Sequence, residues 1–176
     1  MAFSMAVPLS TIKAALKIDY DTDDTDLIRL REVATKVIEQ RTQIRLQPAT
    51  ELLYLSSFHN ALLSVHPFVE LKYVSYQDAS NATVSMPSSD YYIDRTEGPI
   101  PMIGFLDFPA IYEGTAITVA YTAGFESIPD PLVHCIISLT GAMYNNPEAV
   151  QPISLSTVPL SVQFILDQYS TRSHIR

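Results

Sequence analysis

The sequence predicts an α+β fold: a helical bundle built from the N- and C-terminal parts of the chain, with a small, mostly antiparallel β insertion between them. Three observations predict it. Apolar residues recur three and four positions apart near both ends, the spacing of a helix with one buried face. The middle carries short runs of β-branched and aromatic residues punctuated by turn-forming pairs. The connections between those runs are too short for crossover helices, so neighbouring strands must run antiparallel. The 176 residues are expected to form one domain, helical over 1–45, β-rich over 46–125 and helical again over 126–176.

The elements follow in order. Val7-Pro8-Leu9-Ser10 places an N-cap at Ser10, and Thr11 to Lys17 sets Ile12, Ala15 and Leu16 on one helical face. Asp19 to Asp23 breaks that helix. A longer helix runs from Asp24 to Thr42 on the stripe Leu27, Leu30, Ala34, Val37 and Ile38, with Arg29, Arg31, Lys36 and Glu39 on other faces. The acids at its start suit the positive end of the helix dipole. Pro48 marks the exit.

Strands are expected over Glu51–Ser56, Phe68–Tyr76, Ala82–Met86, Tyr91–Asp94, Met102–Leu106 and Thr115–Tyr121. In the last, Ile117, Val119 and Tyr121 alternate with Thr118 and Ala120, as a half-buried strand requires. Turns are signalled at Asp78–Asn81, Gly98-Pro99 and Glu113-Gly114. Asp130 then caps a helix with Pro131 in its first turn, and Leu132 to Tyr144 is apolar nearly all round. Asn145-Asn146-Pro147 stops it. After a loose link from Ala149 to Val158, Pro159 opens a short helix with Val162, Ile165, Leu166 and Tyr169 on one stripe.

Composition narrows the function. A chain of this length buries about 70% of the surface it exposes when unfolded, enough for a core without disulfide staples. The single cysteine, Cys135, excludes a disulfide framework and a Cys-based zinc site. No run reaches the roughly 20 apolar residues of a membrane span, and the N-terminus lacks the charged start of a signal peptide. With 11 Lys plus Arg against 19 Asp plus Glu, the net charge is −8, which opposes tight nucleic-acid binding. Between Leu46 and Gln168 the only basic residues are Lys72 and Arg95. From Leu132 to Tyr169 the only charges are Glu148 and Asp167, so this stretch must lie against a core or a partner.

No constellation carries catalysis. Read from Asp21, the acidic run supplies Asp21, Asp23, Thr25 and Glu32 at calcium-loop positions. Asp26 stands where such a loop needs Gly, and Arg29 stands at the ninth position, so helix capping and a solvated acidic surface of Asp21, Asp23, Asp24 and Asp26 explain the run better. That surface would also repel passing DNA. His59, His66, His134 and His174 show no zinc spacing. His134 and Cys135 are helical neighbours pointing about 100° apart, so Cys135 reads as a small core residue. There is no Gly-x-Ser-x-Gly elbow and no phosphate-cradling Gly loop. Tyr73, Tyr76, Tyr91 and Tyr92 offer ring surface, but no basic groove accompanies them, so strand pairing or a protein interface accounts for them. An enzyme, a metal and a cofactor are all unexpected.

The order of segments resembles the phage head–tail connector family, the head-completion or adaptor proteins, in the version with a β insertion. Leu16-Lys17-Ile18-Asp19-Tyr20-Asp21, leading through Asp23-Asp24 into the helix Leu27 to Gln40 and on to Thr42–Arg45, is similar to the family's opening. Val119-Ala120-Tyr121-Thr122-Ala123-Gly124-Phe125 resembles its strand-to-turn motif. The helix opened by Pro129 to Pro131 and ended by Met143-Tyr144-Asn145-Asn146-Pro147-Glu148, and the close from Val158 to Tyr169, are similar too. The likeness covers both ends and the strand before the third helix; 46–110 matches only in β character. One departure is Pro147, where the family often has Arg or Lys.

The resemblance implies a virion structural protein at the head–tail interface, assembled in the host cytoplasm. It implies a ring, commonly of twelve subunits, docked under the portal protein. Such a ring extends the DNA channel without sequence-specific binding and presents a surface to the tail or stopper protein. The charge-poor last third, and the stripe Val162, Ile165, Leu166 and Tyr169 in particular, is the expected subunit or partner interface. The terminal segments are expected to refold on docking. A monomeric α+β module that holds a ligand or peptide in its sheet region is the other reading.

Overall fold

The computed structural model describes residues 7–96, 100–146 and 160–170. The turn expected at Gly98-Pro99, the stop at Pro147, the link from Ala149 to Val158, the helix opener Pro159 and His174 lie outside them. The architecture is α+β, with four helices and two antiparallel sheets among the described residues. The chain divides into two compact units, a helical one of Met1–Leu46 with Ser127–Arg176 and a β one of Gln47–Glu126.

In the helical unit, α1 spans Leu9–Leu16, α2 Asp24–Thr42, α3 Asp130–Asn145 and α4 Leu160–Tyr169. Helix α1 starts ahead of the expected Ser10 cap. Pro8 is the cap residue, and its carbonyl accepts from the Thr11 and Ile12 amides at 3.1 and 3.3 Å. Pro8 has φ −59°, the value its ring imposes, and the amide it lacks would have had no helical partner there. Lys17 ends the helix at φ 58°, with Ile18 N–H donating to the Lys13 carbonyl and Lys17 N–H to that of Ala14. That pair of bonds is a Schellman closure, and Ile18 is buried beneath it.

Helix α2 keeps the expected bounds, but its buried stripe runs Leu27, Arg31, Ala34, Ile38, Thr42. Arg31 was expected on another face. Instead it is only 4% exposed, and its guanidinium donates to the Val7 carbonyl at 3.1 Å. Thr42 sits inside by donating its hydroxyl to the Ile38 carbonyl one turn back, and Thr140 of α3 does the same toward Ile136. Asp130 is the first residue of α3 rather than its cap; Pro129 holds that position and its carbonyl accepts from Leu132 and Val133. Gly141 of α3 leaves room for Leu16 of α1, whose Cδ2 lies 2.6 Å from where a Cβ would stand.

The β unit holds β1 (Ala49–Leu55), β2 (Ala61–Leu62), β3 (Phe68–Gln77), β4 (Thr83–Ser85), β5 (Tyr91–Asp94), β6 (Met102–Phe105) and β7 (Ile117–Ala123). One sheet has the order β1-β7-β3-β4 and the other β2-β6-β5. Strand β2 was not expected: two residues are too few to show alternation. Leu55, Val74, Ile117, Val119 and Tyr121 of the first sheet share one core with Ile103 and Phe105 of the second. Phe58 meets Tyr76 and Phe105 edge-on at 5.5 and 5.2 Å, the geometry that ring quadrupoles favour. Ala120, expected to face out, is fully buried. It pairs with Leu52 on one side and Tyr73 on the other, and larger neighbours in register shade a small side chain on the central strand.

Candidate interaction surfaces

The acidic run sits between α1 and α2, and most of its carboxylates have partners inside the chain. Lys13, in the last turn of α1, donates to Asp21 at 2.6 Å and to Asp24 at 2.7 Å. Asp26 pairs with Arg29 at 3.3 Å, three residues on. Asp23 accepts a hydrogen bond of 2.5 Å from the Tyr144 hydroxyl, which also lies 3.0 Å from that of Tyr20. These contacts tie the break between α1 and α2 to the end of α3. The bond to Asp23 first, and the one to Tyr20 second, push the Tyr144 phenol well above its ordinary pKa. The hydrogen bond from Lys13 holds Asp21 below its ordinary value, and the bonds to Asp21 and Asp24 raise Lys13. An ammonium at the centre and a helix starting at Asp24 leave no calcium loop. Among the described residues, no three or more His, Cys, Asp or Glu are grouped to hold a metal ion.

Helix α4 turns its expected stripe inward. Val162 and Leu166 are 0% and 1% exposed in the core of the helical unit, while Ile165 and Tyr169 are half-buried. The apolar side chains it offers to solvent are Leu160 and Phe164, 82% and 67% exposed. Asp167 accepts from Arg41 of α2 at 3.0 Å, an exposed pair that adds little to the seat made by Val162 and Leu166.

Cys135 is buried, and desolvation pushes its thiol up to about 11, away from nucleophilic use at neutral pH. His134 is exposed beside Ser138 at 3.4 Å, and His59 contacts the Ser57 carbonyl at 2.9 Å. The four tyrosines weighed as a platform are not brought together: Tyr73 and Tyr76 stand on β3 of one sheet, with Tyr76 packed on Phe58, while Tyr91 and Tyr92 stand on β5 of the other, Tyr91 against the core and Tyr92 over Gly104. No described helix is long and apolar enough to cross a membrane.

The β unit holds the surface features that periodicity did not single out. Nine of the acids fall between residues 47 and 126 against only Lys72 and Arg95, a net −7, whereas the helical unit has ten acids against nine bases. The outer face of the four-stranded sheet exposes Leu52, Tyr54 and Tyr73, and the segment after β6 exposes Leu106 and Phe108. At one end of this sheet lies a groove of about 550 Å³ between Tyr54–Ser56 of β1 and residues 111–116. Its second wall is held by the Tyr112 amide on the Gln77 carbonyl and by a turn in which Thr115 N–H donates back to Tyr112. Gly114 takes φ +78° in that turn, a value that side chains rarely adopt. Residues 54 and 112 are far apart in sequence and meet only because β1 pairs with β7, so no local pattern announces the groove.

No protein-family model and no curated protein matches the sequence. Solved structures share its fold, among them chains of gene transfer agent particles. A chain in the neck of an empty gene transfer agent (GTA) particle, computed with C6 symmetry, has a TM-score of 0.74 and 20% identity, over 94% of this chain and 89% of that one. A chain in the virion of the native GTA particle gives 0.75 and 18% over the same shares. One in the native neck computed with C12 symmetry gives 0.67 and 19% over 96% and 93%. Both the helical parts and the β insertion are therefore one shared fold.

Proposed function

We propose that the chain is a virion structural protein of the neck, the head–tail connector or adaptor subunit of a phage-like particle. The observation that carries this is the extent of the likeness to chains of GTA necks, 94% of this chain and 89% of the neck chain, β insertion included. In this role subunits form a ring under the portal protein, twelve in the virion, and extend the channel through which DNA passes. The far side of the ring receives the tail or stopper protein. The work is one of shape and surface, without catalysis or cofactor.

The symmetry of the related assemblies suits a heterologous ring, in which each copy presents two different patches. Leu160 and Phe164 of α4, flanked by Ile165 and Tyr169, are the proposed partner contact in the helical unit. Val162 and Leu166 join it only where α4 leaves its seat on docking. The groove in the β unit is what a peptide-binding module would carry, and on a neck subunit it serves as a docking point. The test is removal of this subunit from particle-producing cells. DNA-filled heads and free tails that join when the purified protein is added back are expected; normally joined particles without it would refute the assignment.

A further inference from the structure

We propose that the groove at the end of the four-stranded sheet docks an extended, arginine-bearing segment of another protein. The guanidinium lies over Tyr54 and Tyr112 and faces the Glu113 carboxylate. This goes beyond the connector reading and does not rest on it, because it concerns one groove in one copy of the chain.

The lining argues for the chemistry. Tyr54 and Tyr112 are 62% and 43% exposed, and Glu113 is the single charged residue on the walls. Exposed rings beside one carboxylate suit a planar cation, which stacks on the ring face and forks onto the acid; Arg does both where Lys does only the second well. The β unit cannot fill this role itself. Its two cations are engaged elsewhere, Lys72 on Thr50 at 3.1 Å and Arg95 over the Phe68 ring at 5.1 Å. That Arg95 contact is the same ring-and-guanidinium pairing, made internally. A second copy is a poor match, since each copy carries −8 and its helical unit has no surplus of bases. An extended segment fits because the groove lies between two stretches of chain, Tyr54–Ser56 and residues 111–116, rather than in a closed cavity.

The test is a titration of the isotope-labelled full chain with a blocked tetra-arginine peptide, followed by amide NMR. Blocked tetra-citrulline, which keeps the shape and loses the charge, is the control. Shifts at Tyr54–Ser56 and at residues 111–116, absent with citrulline, are expected. Glu113→Gln should weaken binding about two- to fivefold, the range for an exposed ion pair, and Tyr112→Ala by a similar factor. Glu126→Gln removes the same charge beyond the other end of β7 and should leave the affinity unchanged. Equal losses in Glu113→Gln and Glu126→Gln, or shifts scattered over the acids of the unit, would mean diffuse attraction and overturn the proposal. No shifts at the groove would overturn it as well. A peptide of the chain's own residues 170–176 binding more tightly than tetra-arginine would assign the groove to a second copy and overturn the foreign partner.

Discussion

Gly124 follows β7 at φ +140°, and a Cβ there would stand 2.4 Å from the Gln47 backbone. Backbone cannot swing aside as a side-chain tip can, so Gly124→Ala should cost about 3 kcal/mol or more, counting both the strained φ and the overlap. Chemical denaturation reads this directly, and an unchanged midpoint would contradict it. The sequence places this glycine after a β pattern; only the structure gives the close approach that requires it. Lys13 makes a second residue-scale case. It raises no flag in the sequence beyond being a base near acids, yet it links Asp21 and Asp24. Asp21 has a folded pKa below its ordinary 3.8, so its contribution is present above that value and is lost as pH falls through the folded pKa. Lys13 is raised above 10.5, so its share is present below 10.5 and fades as pH rises past the folded value. The stability difference between wild type and Lys13→Met should therefore be flat between these limits and vanish in acid. It should also shrink with added salt. A difference that grows in acid would contradict the pairing.

Among the elements, α2 was legible to its ends because its pattern is long and its first turn acidic. Its buried face was not, because Arg31 lies inside by reaching the Val7 carbonyl, and periodicity treats arginine as a surface residue. Helix α4 shows a different limit. Spacing identifies an apolar stripe, but it does not say whether the stripe meets the chain's own core or another molecule. Val162→Ala and Leu166→Ala should each destabilise the protein by about 1–5 kcal/mol, as core truncations do. Leu160→Ser with Phe164→Ser should leave stability within about 0.5 kcal/mol, as surface changes do, and abolish attachment to portal-bearing heads. Melting curves and a head-binding assay separate the two pairs. Attachment that survives the second pair would move the partner contact off α4. The strands were legible as segments, and their antiparallel pairing followed from short connections. The order β1-β7-β3-β4 was not, since strand neighbours distant in sequence leave no local trace.

Across the whole molecule, charge is divided between the units more sharply than along the sequence. Most of the acidic run that stands out by eye is paired within the chain, and the excess of acids over bases lies in the β unit. A chain of net −8 with nine of its acids in one unit has little to offer phosphate, and DNA should slide past it. No retention of duplex DNA in a gel-shift experiment at about 0.15 M salt is expected; retention would conflict with a passive conduit. The most direct test of the neck role is binding of the purified protein to portal-bearing capsids, with portal-less capsids as control, imaged by electron microscopy. A neck subunit should appear as a ring of copies at the single portal vertex and nowhere else. Equal binding to both kinds of capsid, or none to either, would contradict that role.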